Sequence, residues 1–90
     1  PQYSIEAAYM VDNTTGYIKV SRFAANTYDE FKKSLASLKK QGLQQLVLDL
    51  RGNPGGYMDR ATNMVDEMLA GNKLIVYTDG KEARYDQRVN

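Results

Sequence analysis

Apolar positions in this chain repeat every second residue, then every three to four, then run nearly unbroken. Ile5 to Val11 is apolar-rich, Asp12-Asn13-Thr14-Thr15-Gly16 is turn-forming, and Tyr17-Ile18-Lys19-Val20 alternates. Residues 3–23 therefore predict a β-hairpin. Tyr28, Phe31, Leu35 and Leu38 follow at spacings of three, four and three, the single apolar stripe of an amphipathic helix. Thr27 with Glu30 three residues later fits a capping box, in which hydroxyl and carboxylate reciprocally satisfy N–H groups at the helix start. Gly42 is placed to end that helix in the left-handed conformation.

Gln45 to Leu50 is short and almost continuously apolar, the pattern of a parallel strand covered on both faces. Met58, Ala61, Met64, Val65, Met68 and Leu69 then repeat at helical spacing up to Gly71, with the methionines as core filler. Lys73 to Thr78 predicts another strand, Asp79-Gly80 a turn, and the polar stretch Glu82 to Arg88 an edge strand. The fold class expected is α/β: an N-terminal β-hairpin followed by helix–strand–helix–strand. A right-handed crossover would make strands 45–50 and 73–78 parallel.

Composition narrows the chemistry. Ninety residues make one small domain, and a net charge of +1 gives no electrostatic case for nucleic acid or an anionic membrane. Cysteine and histidine are both absent, which removes disulfides, thiolate metal sites, a cysteine nucleophile and an imidazole base. No cofactor or metal is expected. Lys32-Lys33 and Lys39-Lys40 read as a solvated helix face preceded by Asp29 and Glu30, and Ser21, Ser34 and Ser37 lack an activating partner. No apolar run reaches the length that spans a bilayer. The chain opens at Pro1 and stops in a polar stretch at Asn90, so it is expected to be a piece of something longer.

The candidate chemistry lies between the apolar strand and the second helix, at Arg51-Gly52-Asn53-Pro54-Gly55-Gly56. Such a turn can serve only as a tight connection, with glycine for positive φ and Pro54 for stiffness. It can also aim the amides of Gly55, Gly56 and Tyr57 outward at the positive end of the helix dipole, a receptor for an anion or a reacting carbonyl oxygen. A nucleotide phosphate loop would need Lys and Ser/Thr where Tyr57 and Met58 stand. Asp49 sits within the apolar strand and needs a partner; Arg51, two residues on, points to the same face. Asn53 is suited to an Asx-type turn on its own backbone. Asp49, Arg51, Asn53 and Pro54 are thus expected to shape the loop while glycine amides receive the ligand.

Gly16-Tyr17-Ile18-Lys19-Val20, Phe23, Thr27-x-x-Glu30-Phe31 and Leu35-x-x-Leu38 resemble the start of the core domain of C-terminal processing peptidases, also called tail-specific proteases. Leu48-Asp49-Leu50-Arg51-Gly52-Asn53-Pro54-Gly55-Gly56 resembles that family's glycine-rich signature, and the resemblance covers approximately residues 9–78. It implies a bacterial serine endopeptidase that cleaves proteins near their C-termini, with a Ser nucleophile and a Lys general base. It also implies a Clp protease/crotonase-like core, a PDZ domain ahead of it, and work outside the cytoplasm, whether periplasmic, membrane-anchored or secreted. An oxyanion-hole amide would map to Gly55 or Gly56. No segment resembles the family's serine motif, so residues 1–90 are expected to be a partial core domain, inactive alone. The partners implied are a protein or peptide substrate and the rest of the core, with self-association through exposed strand edges. The rival readings are a noncatalytic peptide- or ligand-binding module and a small phosphate-binding domain.

Overall fold

The computed structural model describes residues 4–53, 73–78 and 81–86. Within them lie strands β1 (Ile5–Met10) and β2 (Thr15–Val20), helix α1 (Thr27–Lys40), and strands β3 (Gln45–Asp49), β4 (Lys73–Thr78) and β5 (Lys81–Asp86). The second helix expected from Met58 to Leu69, with Gly71 at its end, lies outside the described residues, as does the turn at Asp79-Gly80.

The five strands form one sheet in chain order, with β2, β3 and β4 mutually parallel and β1 and β5 antiparallel to their neighbours. The fold is therefore α/β with a mixed sheet and a parallel centre. The hairpin turns where Asp12 Oδ1 accepts N–H bonds from Thr14 (2.9 Å) and Thr15 (2.7 Å), an Asx closure of the kind that turn chemistry favours. The parallel partner of β3 is not only β4 but also β2, so β2, α1 and β3 make a strand–helix–strand unit.

Side chains alternate across this sheet. Ile18, Val20, Leu46, Leu48, Leu50, Leu74 and Val76 cluster with Phe31, Leu35 and Leu38 of α1 and with Leu43, all of them buried. Gly42 (φ +101°) ends the helix: the Leu43 N–H bonds Leu38 O at 3.2 Å and the Gly42 N–H bonds Lys39 O at 3.1 Å. That pair of bonds, with Leu38 and Leu43 both in the core cluster, is a Schellman closure.

Two expectations are corrected. Thr27 and Glu30 do not form a capping box. Asn26 occupies the N-cap position and makes no side-chain cap bond to the helix backbone. Thr27 Oγ1 instead accepts the Ala24 N–H (2.7 Å) and donates to Ser4 Oγ (2.7 Å), while Glu30 Oε1 accepts the N–H groups of Ser4 (2.9 Å) and Ile5 (3.1 Å). Ser4 is buried, so its amide would otherwise be stranded, whereas N–H groups at the exposed start of a helix can bond water. The second correction concerns Tyr28. It is 42% exposed, and Thr27 takes its place on the buried stripe with Phe31, Leu35 and Leu38.

Candidate functional site

At Asp49 the polar side of β3 comes to an end. Leu46, Leu48 and Leu50 face α1, which turns Gln45, Val47 and Asp49 to the opposite face. Register then brings Lys19 of β2 alongside Asp49 on one flank and Tyr77 of β4 on the other. Tyr17 shares that face two residues before Lys19, and its ring lies 5.2 Å from that of Tyr9 on β1.

The Asp49 side chain is fully buried (0% exposed) and each of its oxygens is used twice. Oδ1 accepts Arg51 N–H (3.0 Å) and Arg51 Nε (2.9 Å); Oδ2 accepts Arg51 Nη2 (2.7 Å) and the Tyr17 hydroxyl (2.6 Å). Lys19 Nζ stands 3.9 Å from Oδ1. Four charge-assisted bonds, two of them a guanidinium fork, make burial of a carboxylate tolerable. The Arg51 guanidinium holds the Asp49 carboxyl well below the usual carboxylate range, reinforced by the Tyr17 hydroxyl, while burial opposes the shift. The same contact raises the Arg51 value further. Burial, and then the hydrogen bond to Asp49, push the Tyr17 phenol up from 10.0 to about 12.

The chain turns over residues 50–53. The Asn53 N–H bonds Leu50 O at 3.2 Å, Gly52 has φ +87°, and none of the described non-glycine residues has positive φ. Those values define a type II turn with Arg51 and Gly52 as its central residues. Its surroundings hold it from both neighbouring strands. On the β4 side, Leu50 N–H donates to Tyr77 O at 2.7 Å and the Arg51 guanidinium carbon lies 5.9 Å from the centre of the Tyr77 ring. On the β2 side, Lys19 Nζ donates to Arg51 O at 2.8 Å, and Asn53 Nδ2 donates to Val20 O as well as to Leu50 O (3.1 Å).

Asn53 thus ties the turn to β2 through its amide nitrogen, while the backbone after it, which the expected Asx closure would use, lies outside the described residues. Asn53 Oδ1 is buried and has no hydrogen-bond partner among the described residues. Asp49, Arg51 and Asn53 are thus gathered at the carboxyl ends of the parallel strands, where open α/β sheets bind ligands. Pro54, Gly55 and Gly56 lie outside the described residues. Sequence reading missed Tyr17 and Lys19. The Tyr17-x-Lys19 and Asp49-x-Arg51 alternations each mark one face of a strand, but only parallel pairing of β2 with β3 joins the two pairs.

Comparison with known proteins bears on the same stretch. The profile of "Peptidase family S41" matches residues 14–90, from the hairpin turn through the glycine-rich turn and beyond. The chain belongs to peptidase family S41. Among its relatives, the carboxy-terminal processing protease CtpA of Bacillus subtilis is 37% identical over 79 residues, 86% of this chain and 17% of that protein. A carboxyl-terminal-processing protease of Picosynechococcus is 38% identical over 71 residues, 79% of this chain and 17% of its own length. A probable CtpA-like serine protease of Staphylococcus epidermidis is 33% identical over 75 residues, covering 82% and 15%. This chain of family S41 thus spans about one sixth of the length of these relatives. The resemblance to C-terminal processing peptidases is borne out at the level of the family.

Proposed function

We propose that this chain is part of the core of a serine endopeptidase that cleaves protein substrates near their C-termini, and that a main-chain N–H of Gly55 or Gly56 contributes to its oxyanion hole. The observation that supports the reading is the type II turn over residues 50–53, held from β2 and β4 directly before Pro54-Gly55-Gly56. When a nucleophile adds to a peptide carbonyl, the oxygen takes up negative charge. Donors already fixed around that oxygen lower the barrier because nothing has to reorient as the charge develops.

The nucleophilic Ser and its Lys base belong to the remainder of the parent's core, so the 90-residue chain is inactive by itself. Asp49, Arg51 and Asn53 shape the turn and do not touch the reacting atoms. A PDZ domain ahead of the core and a location outside the cytoplasm complete the reading. Replacing Gly55 or Gly56 by Val in the full-length parent should lower kcat by ~10²–10³, the usual cost of losing one oxyanion donor. Turnover within threefold of wild type would count against the assignment, and so would hydrolysis of denatured casein by the pure 90-residue chain. Peptide binding without cleavage by the full-length parent would favour a noncatalytic module instead.

A further inference from the structure

We propose that β1 pairs edge to edge with β1 of a second copy of this chain, about a twofold axis at Tyr9. β1 is an end strand of the sheet, so one of its sides has no strand beside it among the described residues. Ladder geometry decides which groups face that side. The Val11 N–H bonds Thr15 O at 2.7 Å, and antiparallel bonding alternates, so Tyr9 and Ala7 also turn their main-chain groups toward β2. Ala8 and Met10 therefore aim N–H and C=O outward.

The two end strands are guarded differently. β5 carries Lys81, Glu82, Arg84 and Asp86, the usual defence of an edge against pairing. β1 is guarded only at its start, where Glu6 sits in a bulge and Glu30 Oε1 accepts the Ser4 and Ile5 N–H groups. From Ala7 to Val11 there is no charge, and Tyr9 (54% exposed) and Val11 (59%) are two of the three large apolar side chains exposed among the described residues. The stretch is also complementary to itself. Identical antiparallel strands need their twofold axis on a residue, so that like faces stay together. With the axis at Tyr9, Ala8 opposes Met10 of the second copy and Ala7 opposes Val11, and both outward-facing residues find main-chain partners. Tyr9 meets Tyr9 at the closely spaced position, extending the Tyr9–Tyr17 ring pair across the seam. On the α1 side, Met10 of the second copy lies over the groove lined by Ala8, Lys33 and Ser34. Glu6 accepts the Ser21 hydroxyl (2.6 Å) and Asp12 is held in its own turn, which keeps both carboxylates at the ends of the seam.

A single strand pair falls below the ~1,200 Å² of a stable interface, so the dimer is weak, with Kd on the order of 10⁻⁴ M. Sedimentation equilibrium of the 90-residue chain up to about 1 mM should show that monomer–dimer exchange. Ala8→Pro deletes an outward N–H and no bond within the sheet; it should weaken association at least about tenfold while the melting temperature of the dilute monomer moves by less than about 4 °C. Tyr9→Lys sets like charges at the axis and should weaken it as much, which serves if Ala8→Pro does not fold. The chain has no cysteine, so Tyr9→Cys adds one thiol per copy. It should oxidise to a covalent dimer at least about tenfold faster than Val11→Cys, because only at the axis does a residue face itself at about 4.5 Å between Cα atoms. None of these measurements depends on peptidase activity. A monomer at every concentration, a dimer untouched by Ala8→Pro and Tyr9→Lys, or equal oxidation of the two cysteine variants would overturn the proposal.

Discussion

The two faces of the sheet do different jobs with the same strands. Toward α1, β2 and β3 present Ile18, Val20, Leu46 and Leu48, packed on Phe31, Leu35 and Leu38 in a core with no polar demands of its own. Toward the other side they present Tyr17, Lys19 and Asp49, whose directed hydrogen bonds and ion pair converge on the end of β3 and the turn that follows it. Non-directional burial on one face makes the sheet stable. Directed bonds on the other face decide where one short turn sits. Variants on the two faces should therefore fail differently, the first by unfolding and the second by loosening the turn.

Phe31→Ala on the apolar face should have the largest effect, ~3–5 kcal/mol in urea unfolding, because a fully buried ring leaves a cavity that α1 and the sheet close only in part. Asp49→Ala comes next at ~2–3 kcal/mol: the Tyr17 hydroxyl and the Arg51 amide lose their acceptor, while the Arg51 guanidinium, on a side chain 59% exposed, can turn to water. Since the folded-state Asp49 value is depressed, its contribution is present above the unfolded value near 3.8 and fades as pH falls below it. Stability curves of wild type and Asp49→Ala should converge in acid; a constant gap down to low pH would contradict the assignment.

Tyr17→Phe is expected to cost ~1 kcal/mol at neutral pH, one hydrogen bond to a charged acceptor. The sign of its pH dependence is opposite to that of Asp49. A phenol raised from 10.0 to about 12 contributes fully below pH 10, and that contribution is lost as pH climbs toward 12. The difference between wild type and Tyr17→Phe should shrink over that interval, and unfolding curves at pH 9 and 11.5 would read it. Tyr28→Ser, on the exposed side of α1, should change stability by no more than ~0.5 kcal/mol.

Elements built from neighbouring residues were legible in the sequence. The hairpin follows from alternation around a turn that Asp12 closes locally, and α1 ends where Gly42 allows Leu43 to fold back over Leu38. Legibility stopped where distant groups compete. Thr27 and Glu30 match a capping box, yet Ser4 and Ile5, which reach them from 23 to 26 residues earlier in the chain, claim both side chains. Tyr17 and Lys19 join the Asp49 cluster only because β2 lies parallel to β3 in one register. No short turn sets that register across the α1 crossover. The glycine-rich signature, by contrast, lies in one continuous stretch, which is why the family resemblance could be read directly from it.

The most direct measurement is a crystal structure of the full-length parent with a peptidyl boronate bound to its nucleophile. The account predicts a boronate oxygen about 2.7–3.1 Å from the amide nitrogen of Gly55 or Gly56, with Lys19 still on the Arg51 carbonyl. An adduct whose oxygen is held wholly by other donors, with both glycine amides turned away, would contradict it.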